Sequence, residues 1–289
     1  HRGGKGIIGL TAKEEDSVDQ LFSTNTHADI LFFTSRGRVF QLKAYEVPVA
    51  SRTAKGQAVV NFLQLGPEEK VTAALSCTDM KSSGYKYLVM VTSSGTIKKT
   101  KLDAFANVRR SGLIAITLKG KNALEWVKPS TGTDNIILVT NNGQSVRFKE
   151  QDVREMGRTA AGVRGIKLKA SDTVVGMDII SQTAIKNAEL CVVMRNGYGK
   201  RTDLKSYKVQ HRGGSGIKTA KITDKTGKIV LGFVVTEAQR DSDLLIISNQ
   251  GQVIRLPLKS VPIISRDTQG VRLMRFKVDK DQVASVAHL

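Results

Sequence analysis

Apolar and polar positions come in blocks along this chain. Five runs of four or five apolar residues each lead into a polar turn closed by glycine: 30–37 (ILFFTSRG), 88–95 (LVMVTSSG), 136–143 (IILVTNNG), 190–197 (LCVVMRNG) and 244–251 (LLIISNQG). Such a run, followed across a glycine turn by a second β-rich run, predicts a hairpin. The expected pairs are 30–33 with 39–42, 88–91 with 96–100, 136–139 with 145–148, 190–194 with 199–202, and 244–247 with 253–256. A polar loop then leads to two further strand candidates per repeat: 59–63 and 71–75, 113–118 and 124–127, 163–168 and 174–180, 217–222 and 229–235, 271–276 and 283–288. No stretch holds a helical apolar stripe for the roughly 10–12 residues a helix needs, so the class is all-β.

The loops repeat as well. Arg52, Arg158, Arg212 and Arg266 each stand four residues before a glycine, as Arg2 does in the opening HRGGKG, and Arg109 to Gly112 is a copy one residue shorter. The closing glycines fall at 6, 56, 112, 162, 216 and 270, steps of 50 to 56 residues, which is the range of propeller blades. We read residues 1–289 as one domain of six repeats, approximately 1–29, 30–84, 85–130, 131–182, 183–238 and 239–289. Four strands per repeat are expected. The first repeat holds only strand candidates 7–10 and 18–23, and the hairpin that would complete it would lie upstream of His1.

Charge changes the picture from fold to partner. The chain carries 45 Lys+Arg against 26 Asp+Glu, a net charge of +19. The five segments from turn to loop glycine (34–56, 92–112, 140–162, 194–216, 248–270) hold 23 of those cations and 7 of the acids. Equivalent segments in an array share one edge, so the pattern predicts a basic belt and a polyanionic partner. The candidate contacts in the loops are Arg2, Gly3, Gly4, Lys5, Gly6, Arg52, Lys55, Arg109, Arg110, Arg158, Arg212 and Arg266. In the turn and the strand after it they are Arg36, Arg38, Lys98, Lys99, Lys101, Arg147, Lys149, Arg195, Lys200, Arg201 and Arg255, all expected to be solvated. Arginine can grip two phosphate oxygens and glycine lets backbone N–H groups approach a ligand. The alternative is that the glycines serve only turns and the arginines only solvate a surface. Aromatic residues are sparse and not interleaved with the basic strand, which favours duplex backbone over stacked single strands.

Other chemistries find little support. His1, His27, His211 and His288 are scattered, and Cys77 and Cys191 have neither metal-ligand nor disulfide-framework spacing, so they read as free thiols. No catalytic motif occurs, so no enzyme activity, metal or cofactor is expected of this segment. No window approaches the 18–20 apolar residues of a membrane span, and no signal-peptide core opens the chain.

The opening HRGGKG resembles the gyrase box found in the C-terminal domain of the bacterial DNA gyrase A subunit. Further phrases of that family recur in order, among them 35–39 (SRGRV), 95–100 (GTIKKT), 163–166 (VRGI), 196–202 (NGYGKRT) and 249–255 (NQGQVIR). His1 departs from the box, which has Arg there. The resemblance implies a six-bladed β-pinwheel, a propeller-like disc whose blades exchange strands, with the first blade here lacking its N-terminal hairpin. It implies sequence-nonspecific binding, bending and wrapping of double-stranded DNA, which directs a type II topoisomerase to introduce negative supercoils. The implied partners are the breakage-reunion domain, which carries the catalytic tyrosine, and the ATPase subunit, gyrase B, in an A2B2 holoenzyme of the bacterial cytoplasm and nucleoid. The equivalent domain of topoisomerase IV, and a propeller scaffold for protein interaction, are the alternative readings.

Overall fold

A computed structural model describes residues 24–48 and 62–288. Its strands in chain order are β1 Asp29–Thr34, β2 Arg38–Lys43, β3 Val71–Ser76, β4 Tyr87–Thr92, β5 Thr96–Lys101, β6 Leu113–Ile114, β7 Leu124–Ser130, β8 Asn135–Thr140, β9 Gln144–Lys149 and β10 Val163–Arg164. They continue with β11 Val174–Ile180, β12 Glu189–Met194, β13 Tyr198–Asp203, β14 Ile217–Lys218, β15 Ile229–Val235, β16 Asp243–Ser248, β17 Val253–Pro257, β18 Val271–Arg272 and β19 Val283–His288. One helical turn, Cys77–Ser82, short 3-10 segments after the hairpins and two more before the fourth and fifth hairpins (Ala184–Asn187, Glu237–Gln239) are the helical elements among the described residues.

Each of the five hairpins forms as expected, and every turn glycine (Gly37, Gly95, Gly143, Gly197, Gly251) takes a positive φ that residues with a Cβ avoid. The first strand of each of the first four hairpins reads as an unbroken apolar run because both of its faces are buried. Successive side chains on a strand point to opposite faces. Leu88 and Met90 pack towards the first sheet, whereas Val89 and Val91 pack towards the third. Leu190 and Val192, against Cys191 and Val193, divide in the same way. The core therefore lies between sheets, and each such side chain contributes about 1.5–3 kcal/mol by leaving water.

The third strand candidate of each repeat behaves differently from expectation. Runs 113–118, 163–168, 217–222 and 271–276 pair over only two residues, and they pair with the preceding repeat's hairpin rather than their own. The sheets are accordingly ordered β3-β1-β2-β6, β7-β4-β5-β10, β11-β8-β9-β14 and β15-β12-β13-β18. After those two residues the run leaves the ladder and lies on the host hairpin's turn: Ile116 N–H donates to Gly37 O, Ile166 N–H to Gly95 O and Met274 N–H to Gly197 O. A Cβ on Gly37 or Gly197 would meet those guests' carbonyl oxygens at 2.5 and 2.6 Å, so the exchange requires glycine on steric grounds too.

The described residues form five sheets, not the six blades expected. Most of the first repeat, residues 1–23, lies outside the described residues. The fifth sheet, β17-β16-β19, has three strands. Long inner strands join neighbouring sheets. The Asp178 carboxylate on β11 accepts from Lys128 on β7 at 2.6 Å and from the Val234 N–H on β15 at 2.7 Å.

The loop glycines follow the same steric logic. Gly162 has φ +88°, and a Cβ there would stand 2.6 Å from the Ile97 carbonyl oxygen of the neighbouring hairpin. Gly157, in the same loop, faces open space. Gly162→Ala should therefore lower unfolding free energy by about 2–4 kcal/mol, while Gly157→Ala should change it by less than about 1 kcal/mol. Paired urea titrations check this, and equal effects would remove the steric role.

Candidate nucleic-acid interface

The basic residues of the second hairpin strand divide into two groups. Lys98, Lys99, Arg147, Lys200 and Arg201 are buried, contrary to the solvation expected of them. The physical reason is that an interior sheet hides both faces of the strand, so these cations cross to the next repeat. The Lys98 ammonium donates to Ala115 O at 2.5 Å, to Arg158 O, and to Ala160 O at 3.2 Å. Lys200, at the same position of β13, donates to Ser265 O at 2.7 Å, to Arg266 O, and to Thr268 Oγ1 at 2.9 Å. Burial pushes both ammonium groups down to about 8, aided by the Arg158 charge for Lys98 and opposed by Asp267 for Lys200. Between these junctions the equivalent residue is Val146. There the Gly213 N–H, at φ +84°, donates to Gly165 O and supplies a cross-repeat bond from backbone instead.

One residue further along the strand the same device recurs. Lys99 Nζ donates to Glu150 O at 3.2 Å, Arg147 to Leu204 O at 3.0 Å, and Arg201 to Val261 O at 2.9 Å and Lys259 O at 3.2 Å. All these acceptors lie in, or just after, the 3-10 segment of the next repeat. These cations are struts between blades. Their donors face the protein interior, where the adjoining repeat rather than solvent receives them.

Arg38 is partly committed to structure too. Its guanidinium bonds Glu69 at 2.9 and 2.5 Å, and Glu69 also accepts from Thr34 Oγ1 and from the Gly66 N–H. Burial alone would raise the Glu69 carboxyl, but these donors bring it down to about 2. Acids at the same place brace other turns: Asp172 accepts from Thr140 Oγ1 at 2.9 Å and Asp281 from the Gln250 N–H at 3.2 Å.

Of the cations named from the sequence, Arg36, Lys101, Arg109, Arg110, Lys149, Arg195 and Arg255 are exposed. Several hold a local acid: Lys101 pairs with Glu155 at 3.3 Å, Arg110 with Glu46 at 2.9 Å and Arg255 with Asp243 at 2.5 Å. Surface pairs of this kind are weak, about 0–1 kcal/mol, and leave donors for a ligand. The loop arginines are half-buried and placed by one recurring contact. Arg158 donates to Ile114 O at 3.4 Å, Arg212 to Arg164 O, and Arg266 to Lys218 O at 2.8 Å, each reaching the exchanged strand of the repeat before it.

That contact reveals residues that the sequence pattern did not single out. Arg164, Lys218 and Arg272 stand two positions after their loop glycines, exposed and next to the loops. The spacing from the glycine was the available signal, but these positions fall just outside the turn-to-glycine segments in which charge concentrates. Arg2, Gly3, Gly4, Lys5, Gly6, Arg52 and Lys55 lie outside the described residues.

Known proteins place this geometry. The family described as DNA gyrase C-terminal domain, beta-propeller, matches residues 1–25, 28–78, 86–131, 134–181, 190–236 and 242–288. The chain belongs to that family. The DNA gyrase A subunit of Staphylococcus epidermidis is 41% identical over 287 residues, 99% of this chain. That of Staphylococcus aureus is 40% identical over 280 residues, 97% of it. The chain spans 31% of the length of each of these relatives. Among solved structures, the C-terminal domain of DNA topoisomerase IV superposes with a TM-score of 0.81 at 24% identity, over 92% of this chain and 80% of that one. The DNA gyrase A C-terminal domain gives 0.75 at 24% identity, over 98% and 92%. At that identity the two structures speak for the fold.

Two outcomes follow. Lys98→Met with Lys200→Met strands main-chain oxygens at two junctions and should cost about 2–5 kcal/mol at each, whereas Arg164→Gln with Lys218→Gln should change stability by less than about 0.5 kcal/mol per site. Chemical denaturation distinguishes them, and equal stability of both double variants would refute the struts. For Glu69, a folded-state carboxyl held below its ordinary value stabilises the fold fully above pH 4.5, and the benefit is lost as pH falls towards 2. The melting-temperature advantage over Glu69→Gln should shrink across that window, and a constant gap would refute the pairing.

Proposed function

We propose that this domain binds double-stranded DNA through its phosphate backbone, bends it along the exposed basic edge, and serves as the DNA-wrapping part of a gyrase A protein. What carries the reading is one recurrent feature: at successive junctions a loop arginine is tied to an exchanged strand that itself presents Arg164 or Lys218. This repeats a pair of cations at the spacing of the blades. Duplex DNA is the polyanion whose charge repeats on that scale without end. Contacts of this type position the duplex and do not read bases, so binding is sequence-nonspecific.

The wrapped segment would serve chemistry elsewhere in the polypeptide. In this reading the breakage-reunion domain with its catalytic tyrosine, and the ATPase subunit in an A2B2 holoenzyme, use the wrap to introduce negative supercoils. The basic opening loop, Arg2 to Gly6, would hold the far end of the path. Gyrase is preferred to topoisomerase IV because the curated relatives at 40–41% identity are gyrase A proteins.

If about 6–10 phosphates are neutralised, affinity should fall roughly 10³ to 10⁵-fold between 50 and 200 mM salt. Smooth bending of 20–30 base pairs costs on the order of 1–6 kcal/mol, so a short duplex should bend only while contacts along the edge persist. Fluorescence anisotropy across a salt series, with end-to-end energy transfer on the same duplex, tests both. Salt-independent binding, or binding to straight DNA, would overturn the proposal.

A further inference from the structure

The strut position is occupied by a cation in three junctions and by a neutral side chain in one. Lys99, Arg147 and Arg201 pair with Val89, Ile137 and Cys191 of their hairpins; the same register in the first sheet pairs Leu31 with Gln41. Gln41 is shorter than those cations and uncharged. Its amide bonds the Asp29 carboxylate, which Lys43 also bridges at 2.9 Å, and its Oε1 is buried without a partner. A buried acceptor with no donor is costly, by about 1–3 kcal/mol.

Where the strut would run there is a cavity of about 390 Å³. Gln41, Asp29 and Ser82 form its polar wall; Cys77, with Leu102 and Phe105 of the next repeat, forms its apolar side, with Ala106 beside them. Lys81 reaches the mouth as an exposed side chain and can keep its ammonium in water. The volume lies in the range of small-molecule sites, and this half-open cavity offers acceptors beside apolar side chains.

We propose that this cavity binds a small organic cation, an ammonium or guanidinium on a short apolar body, which occupies the place that Lys99, Arg147 and Arg201 fill at the other junctions. The cationic head meets Gln41 Oε1 and the Asp29 carboxylate, and the body lies on Leu102 and Phe105. Occupancy joins the first sheet to the second as a strut does. A neutral amide of the same size brings fewer donors and no charge, and a carboxylate meets Asp29 unfavourably.

The test uses the 289-residue chain without DNA, so it does not depend on duplex binding. Butylguanidinium chloride should raise the melting temperature saturably, by roughly 1–3 °C beyond an equal concentration of guanidinium-free salt, and butyramide should not. Gln41→Lys should raise the melting temperature without ligand and abolish the response. Ala106→Leu, which narrows the cavity from the other wall, should abolish it while leaving Gln41 in place. No saturable rise, an equal response to butyramide, or a response that survives in both variants would each overturn the proposal.

Discussion

The structure depends on a pairing of two residues. Each four-stranded sheet takes its outer strand from the following repeat, so that neighbouring repeats are tied by ladders as short as Val163–Arg164 on β5. A ladder that short is marginal by itself. It holds because three other things converge on it. The guest continues over the host's turn glycine, the loop glycine before it sits against the host's backbone, and a cation from the host strand reaches the guest repeat's carbonyls. Each of these needs the others in register, which makes a repeat meaningful only beside its neighbour.

Burying an ammonium is unfavourable unless hydrogen bonds replace its water. Lys98 and Lys200 each meet three oxygens, two of those of Lys98 and all three of those of Lys200 coming from the adjoining loop, matching the three donors of an ammonium. A loop displaced by one residue would lose that match, so the cost of burial becomes a penalty on wrong registers. Val146 shows that the device is not obligatory. Its junction uses a glycine-rich loop, HRGGSG, whose backbone N–H supplies the cross-repeat bond, and the inner strands there approach at Gly176 and Gly232 too closely to admit side chains.

The hairpins were legible because an apolar run, a glycine turn and a second run coincide five times. The third strand was over-read. Its run of six mostly apolar residues, such as LIAITL at 113–118, looks like a strand, but Ala115 and Ile116 turn aside to cover Gly37. Nothing in one repeat says that the pairing partner is its predecessor; that came only from the family resemblance. The buried cations were misread for a related reason. Lys98-Lys99 and Lys200-Arg201 look like solvated charge when strands are taken singly. Yet Leu88 to Val91 carry apolar residues on both faces, so the paired strand must also be covered on both, and adjacent positions cannot both escape to water.

If the exposed edge binds a polyanion as proposed, charge does two separate jobs, and ionic strength would separate them. Exposed cations such as Arg164 and Lys218 act through water, where at physiological salt the field decays over about 8 Å. Struts such as Lys98 and Arg201 act at hydrogen-bond distance in a water-poor junction and are screened far less. Under the proposed duplex binding, raising salt would weaken the hold on the polyanion while the junctions persist, and a bound duplex could be released from an array that stays assembled. If the same cations had served both ends, release would loosen the scaffold as well. The burial of one set is what allows the exposed set to remain free for a partner.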